Sequence, residues 1–157
     1  MMLDLLKKGD KAPDFSLPDH NGEEVKLSDF KGQNIILWFF PKASTPGWTA
    51  QGCGFRDEFQ DFKNSGYTII GVSADSPKKQ AKFVEKYEFP FYMLCDESKN
   101  KLKDYKVWAL KKFMGREYMG IIRATYIINS SGKIYKTYDK VKTKNHAQDL
   151  LSDIAKI

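Results

Sequence analysis

The sequence predicts an α/β fold, a mixed central sheet flanked by helices with a small N-terminal β-hairpin in front. Three observations carry this. Ile35-Ile36-Leu37-Trp38-Phe39-Phe40 is a continuous apolar run, rich in β-branched and aromatic residues, as a strand covered on both faces requires. From there to Leu94, strand-like and helix-like segments alternate, which favours parallel pairing through right-handed crossovers. Near the end, Arg123 to Ile128 and Lys133 to Tyr138 read as two strands joined by the turn Asn129-Ser130-Ser131-Gly132, which adds antiparallel pairing.

The elements follow in order. Asp14 to Leu17 alternates polar and apolar residues, as a short edge strand does. His20-Asn21-Gly22-Glu23 turns the chain so that Val25 pairs back. Leu27 to Gly32 reads as a connecting turn. Pro41 stops the apolar strand, and Lys42 to Gly47 has the chemistry of a loop. A helical pattern begins at about Trp48, where Phe55, Phe59 and Phe62 recur at spacings of four and three. Asn64-Ser65-Gly66 ends it with a C-terminal glycine. Tyr67 to Ser73 is a second buried strand. Ser76-Pro77 opens a helix with proline at its first position, where the missing N–H costs little. Phe91 to Leu94 is a third strand, and Ser98 to Tyr105 a short helix. Val107 to Gly120 has no clean period and is expected to be a long loop with one helical turn. Asn145 starts a last helix that buries Leu150, Leu151 and Ile154.

The size, 157 residues, supports one domain over 1–157 with a real core, and no linker or repeat divides it. Hydrophobic residues at 41% and charged residues at 29% fit an ordinary globular chain. The net charge of +6 raises the question of an anionic partner. The lysines, however, are scattered (Lys7-Lys8, Lys78-Lys79, Lys111-Lys112, and Lys140, Lys142 and Lys144) and interrupted by acids. They read as solvated surface, so no nucleic-acid partner is expected. No apolar stretch reaches the roughly 20 residues of a membrane span. The apolar run in Met1 to Asp10 is too short for a signal peptide. The expectation is therefore no membrane association and a cytoplasmic location. Two cysteines, Cys53 and Cys95, do not make a disulfide framework. His20 and His146 are isolated, and no phosphate-loop spacing occurs, so no metal and no cofactor are expected.

The segment from Trp38 to Glu58 is the most informative. It reads as a buried strand, a Pro/Gly loop and a helix start, where unpaired N–H groups and the positive end of the helix dipole can stabilise an anion such as a thiolate. Its residues resemble the active-site stretch of peroxiredoxins, in particular the bacterioferritin-comigratory or peroxiredoxin Q subfamily. Pro41, Thr45, Pro46 and Gly47 match the lead-in, and Phe55-Arg56-Asp57 the motif that follows. Val107-Trp108, Gly115-Arg116, Gly120 to Thr125, Ile127-Ile128-Asn129 and Gly132-Lys133-Ile134 match later motifs in order and spacing. The resemblance runs from Gly9 to the last helix. It implies a thioredoxin-like fold and a thiol-dependent peroxidase. Such an enzyme takes hydrogen peroxide or organic hydroperoxides and is restored by a thioredoxin-like reductant. The resemblance also implies a monomer.

One departure is plain. The position of the attacking (peroxidatic) cysteine is held by Trp48, whose indole has an N–H donor and no nucleophilic thiolate. Four readings are open: a selenocysteine codon (UGA) recoded as tryptophan (UGG), a deliberate substitution, a catalytically silent binding or chaperone-like descendant, and activity moved to Cys53 or Cys95. By resemblance, the Thr45 hydroxyl would bond the peroxide and the nucleophile, and Arg123 would lower the nucleophile's pKa and stabilise charge on the peroxide oxygens. Pro41 would shield the pocket, and Cys53 would resolve the oxidised residue at 48 through an intramolecular bond. From the residues alone, Thr45 reads equally as a helix cap, Arg123 as a surface cation and Cys53 as a small buried residue. Gly52 and Gly54, which weaken a helix by about 1 kcal/mol each, are expected to loosen it around Cys53. Cys95, beside Asp96-Glu97, reads as structural. Trp108 reads as packing or a pocket wall, and Arg56 as the partner of a carboxylate that also backs Arg123.

Overall fold

The computed structural model describes residues 5–40, 46–122, 124–138 and 146–154, leaving aside the side chains of 46–51 and 111–113. The expected α/β architecture is present. A five-stranded sheet runs in the order β5 (Tyr92–Cys95), β4 (Tyr67–Ser73), β3 (Asn34–Phe39), β8 (Ala124–Ile128) and β9 (Ile134–Tyr138). β3 pairs in parallel with β4, and β4 pairs in parallel with β5. On the other side, β8 pairs antiparallel with both β3 and β9. A hairpin of β1 (Ser16–Pro18) and β2 (Glu24–Lys26) precedes the sheet, as the turn at His20 to Glu23 suggests. The helices are α1 (Pro46–Asp57), α2 (Phe59–Asn64), α3 (Pro77–Tyr87), α4 (Asn100–Asp104) and α5 (His146–Ile154).

From Ile35 on, β3 is apolar because it faces two cores. Ile35, Leu37 and Phe39 pack with Phe15, Tyr105 and Tyr126 on one side. Ile36, Trp38 and Phe40 pack with Phe55, Phe62 and Phe83 on the other, beneath α1, α2 and α3. The period-two alternation of a strand thus feeds both layers. Tyr105 and Tyr126 place their hydroxyls on backbone oxygens, Pro13 O at 2.6 Å and Tyr105 O at 2.7 Å, so neither is an unsatisfied polar group in the core.

Sequence and structure differ most at Val107 to Gly120. This is no loop but a hairpin of β6 (Trp108–Phe113) and β7 (Arg116–Ile121), a separate two-stranded sheet. Its two-residue turn, Met114-Gly115, has φ of 50° and 79°, the doubly left-handed geometry of a type I′ turn. Methionine is a poor signal for that geometry. The strands also lack the usual alternation, since Leu110, Tyr118 and Met119 are exposed. Trp108 packs against the first core with the Lys99 ammonium 5.5 Å from its ring centre. The long helix read from about Trp48 breaks at Glu58 into α1 and α2, and Leu151 is only half-buried.

Gly71 on β4 is an unexpectedly strict position. A Cβ there would lie 2.8 Å from Met93 Sδ and 2.9 Å from Trp38 Cε2. Gly71→Ala is therefore expected to overpack the sheet–helix layer and to lower stability by about 1–3 kcal/mol. Urea unfolding checks this: a lower midpoint at unchanged slope is the expected result.

Candidate active site

The sheet decides where the site residues meet. Parallel strands of α/β sheets present ligands at their carboxyl ends. The carboxyl end of β3 is Phe39, and its cross-strand partner is Ala124, the first residue of β8. α1 begins at Pro46, seven residues after Phe39 in the chain. Position 48 is the third residue of α1, within the turn whose backbone N–H groups have no intrahelical partner. Pro41, Thr45 and Arg123 lie outside the described residues, as does the side chain of Trp48. Of the five residues singled out by sequence, Cys53 is the one whose side chain is described.

Cys53 sits on α1 five residues after position 48, half-buried and free of any disulfide. Burial pushes its thiol pKa up. Arg56 draws it down and Asp57 pushes it up again, both more weakly than burial. At this depth in the helix the dipole no longer helps, because its effect fades within the first turn. Cys53 is therefore a thiol at neutral pH. Cys95 is fully buried at the end of β5, with its pKa pushed up to about 12 by burial and then by Glu97, Asp75 and Asp19. The sequence reading of Cys95 as structural fits this environment.

Two neighbours hold α1 on either side of Cys53. On one side, Arg56 donates from Nη1 to Tyr87 O at 2.8 Å and also pairs with Asp57 at 3.1 Å, so the expected carboxylate partner is the next residue in the chain. On the same side, a Cβ at Gly52 would lie 2.7 Å from Phe89 Cζ. On the other, α5 lies over Gly54, where a Cβ would sit 3.6 Å from that of Ala147. Both glycines are thus contact points for neighbouring elements. The sequence reading took them only as helix weakeners.

His146, at the start of α5, is the residue that sequence reasoning undervalued. It is buried, and its Nε2 lies 2.9 Å from Thr125 Oγ1 on β8. Its ring meets Phe55 of α1 edge-on at 5.8 Å and Tyr138 of β9 at 5.5 Å. Burial lowers its pKa to about 4, against a weaker upward pull from Asp149 and Asp153. No local signal marks it, because its partners lie on three other elements. Among the described residues, no three histidines, cysteines or carboxylates gather as a metal site would require, and no helix is long and apolar enough to cross a membrane.

The comparisons with known proteins agree with the fold. The sequence profile of the AhpC/TSA family matches residues 8–137. The chain is 45% identical over 147 residues to Peroxiredoxin Bcp of Escherichia coli (strain K12), covering 94% of each chain. It is 46% identical over 146 residues to Peroxiredoxin Bcp of Bacillus subtilis (strain 168), covering 93% of each. Among solved structures, Xanthomonas campestris Peroxiredoxin Q superposes with a TM-score of 0.88 at 29% identity, over 95% of this chain and 97% of that one. Peroxidoxin BcpB from Mycobacterium tuberculosis gives a TM-score of 0.85 at 30% identity, over 97% and 98%.

Proposed function

Since the chain belongs to the AhpC/TSA family of peroxiredoxins, we propose that it is built to reduce hydroperoxides through an attacking chalcogen whose place is position 48. Cys53 is the resolving thiol, a thioredoxin-like dithiol is the final reductant, and Trp48 stands at a recoded selenocysteine codon. The observation that carries this reading is the state of the two native thiols. Burial raises the pKa of both, so neither is an attacking thiolate at neutral pH. Activity relocated to Cys53 or Cys95 would need the opposite. Position 48, three residues into α1, is where a selenolate or thiolate is favoured.

In the first step the anion at 48 attacks the terminal oxygen of ROOH. The O–O bond breaks, the terminal OH stays on the residue as a selenenic or sulfenic acid, and RO⁻ leaves and takes up a proton from solvent to become ROH. Thr45 and Arg123 are the proposed hydroxyl and guanidinium that hold the peroxide oxygens, with Pro41 as the shield. In the second step Cys53 gives up its proton, its thiolate attacks that acid and a covalent bond joins 48 to 53, while the departing hydroxide takes up a proton and leaves as water. Five helical residues span an axial rise of about 7.5 Å, whereas a disulfide needs Cα atoms within about 6.8 Å. α1 must therefore unwind between them. Unwinding also exposes the Cys53 sulfur to water, which removes the burial that raises its pKa.

A single-turnover experiment tests this. In Trp48→Cys, the new thiol and the two native ones should fall to one, that of Cys95, after one equivalent of hydroperoxide. Adding Cys53→Ser should stop the reaction at a sulfenic acid. If a folded Trp48→Cys chain keeps all its thiols, it is a silent binding module instead.

A further inference from the structure

Cys53 can resolve only from an unwound helix, so whatever keeps its turn helical sets the pace. The sequence of that turn, Gly52-Cys53-Gly54, has little helical tendency of its own. Its helicity comes from docking. Phe89 is buried in a row of rings: it stacks on Tyr87 at 5.8 Å and on Phe91 at 5.2 Å, and meets Phe83 edge-on at 4.8 Å. The row leaves its tip pointing at Gly52, and any side chain there would collide with that tip. One turn on, Arg56 ties α1 to Tyr87 O, two residues before Phe89 in the chain. The C-terminal end of α3 and the residues just after it therefore grip α1 at residues 52 and 56, on both sides of Cys53 in sequence.

We propose that Phe89 is a positioning residue for resolution: its ring, seated in the notch at Gly52, keeps the Cys53 turn helical, and Cys53 is released when that ring withdraws. The proposal rests on the reading that 48 and 53 form the redox pair, and it adds the element that gates their meeting. Phe89 touches no reacting atom. Its effect passes through the backbone of α1.

Amide hydrogen exchange on the chain as it exists tests the grip without any peroxide chemistry. Phe89→Leu should speed exchange across residues 52–56 about tenfold while β4 and β5 keep their protection. Gly52→Ala gives a test of sign. Helix propensity alone predicts slower exchange by about fivefold. The notch predicts faster exchange, because the new methyl group displaces the Phe89 ring. Slower exchange in Gly52→Ala, or a parallel rise across β4 and β5 in Phe89→Leu, overturns the proposal.

Diamide then separates the grip from the pairing. It takes two electrons and two protons from two thiols and becomes the hydrazine, so it joins cysteines without a peroxidase step. In Trp48→Cys, adding Phe89→Leu should speed the 48–53 bond about tenfold. An unchanged rate overturns the gating role. Faster exchange at 52–56 with no 48–53 bond under diamide upholds the grip and overturns the redox pair.

Discussion

Trp48→Cys is expected to raise hydroperoxide turnover with a thioredoxin-like reductant by on the order of 10³-fold or more, the scale on which losing a nucleophile disables an enzyme. The reasoning is local. An indole has no lone pair available for attack on a peroxide oxygen. Apart from that atom, the proposed site draws on groups the chain carries: the helix start at Pro46, the thiol of Cys53 and, as proposed partners, Thr45 and Arg123. A thiol at the third residue of α1 faces free backbone N–H groups and the positive helix end, which lower its pKa. Steady-state peroxide consumption measures the gain. A selenocysteine at the same position should give more, since a selenol is the stronger acid and nucleophile. A folded Trp48→Cys protein that consumes no peroxide above the parent chain would show that the scaffold has left catalysis behind.

Acidification is expected to cost stability through His146. Its folded pKa of about 4 lies below the ordinary value of 6.5 because it is buried against Phe55, Tyr138 and Thr125. The unfolded chain therefore takes up a proton between pH 6.5 and 4 that the native chain refuses. Stability is fully present above pH 6.5, falls as pH drops through that window, and levels off below it as far as this group is concerned. The shift corresponds to on the order of 3 kcal/mol. Carboxylates titrate nearby, so the control is His146→Gln, which keeps a hydrogen-bonding group facing Thr125 and does not titrate. Denaturant unfolding at pH 7 and pH 4.5 should show the parent chain losing about 2–3 kcal/mol more than the variant. Equal losses in both would mean that His146 is charged in the native state.

Much of this protein can be read from its residues. The apolar run at Ile35 to Phe40 announces a strand between two cores, because no polar face is left for water. Pro77 behind Ser76 marks a helix start, and the structure caps it with the Ser76 hydroxyl accepting from Lys79 N. Cys53 stands out by its place after a helix start. What escaped the sequence is tertiary. The hairpin of β6 and β7 projects exposed side chains, so burial imposes no periodic pattern on it. Gly52 and Gly54 look like flaws in a helix until Phe89 and Ala147 are seen resting on them. His146 looks isolated in the chain, yet three distant elements surround it.

The central claim is that position 48 is the seat of an electron-rich atom, served by a hydroxyl and a guanidinium. A crystal structure of Trp48→Cys measures this directly. The account predicts the Thr45 hydroxyl within about 3.5 Å of the sulfur, with the Arg123 guanidinium on the same side of the sheet and directed at the space beside it. Thr45 and Arg123 on opposite faces, with the sulfur against apolar side chains alone, would contradict it.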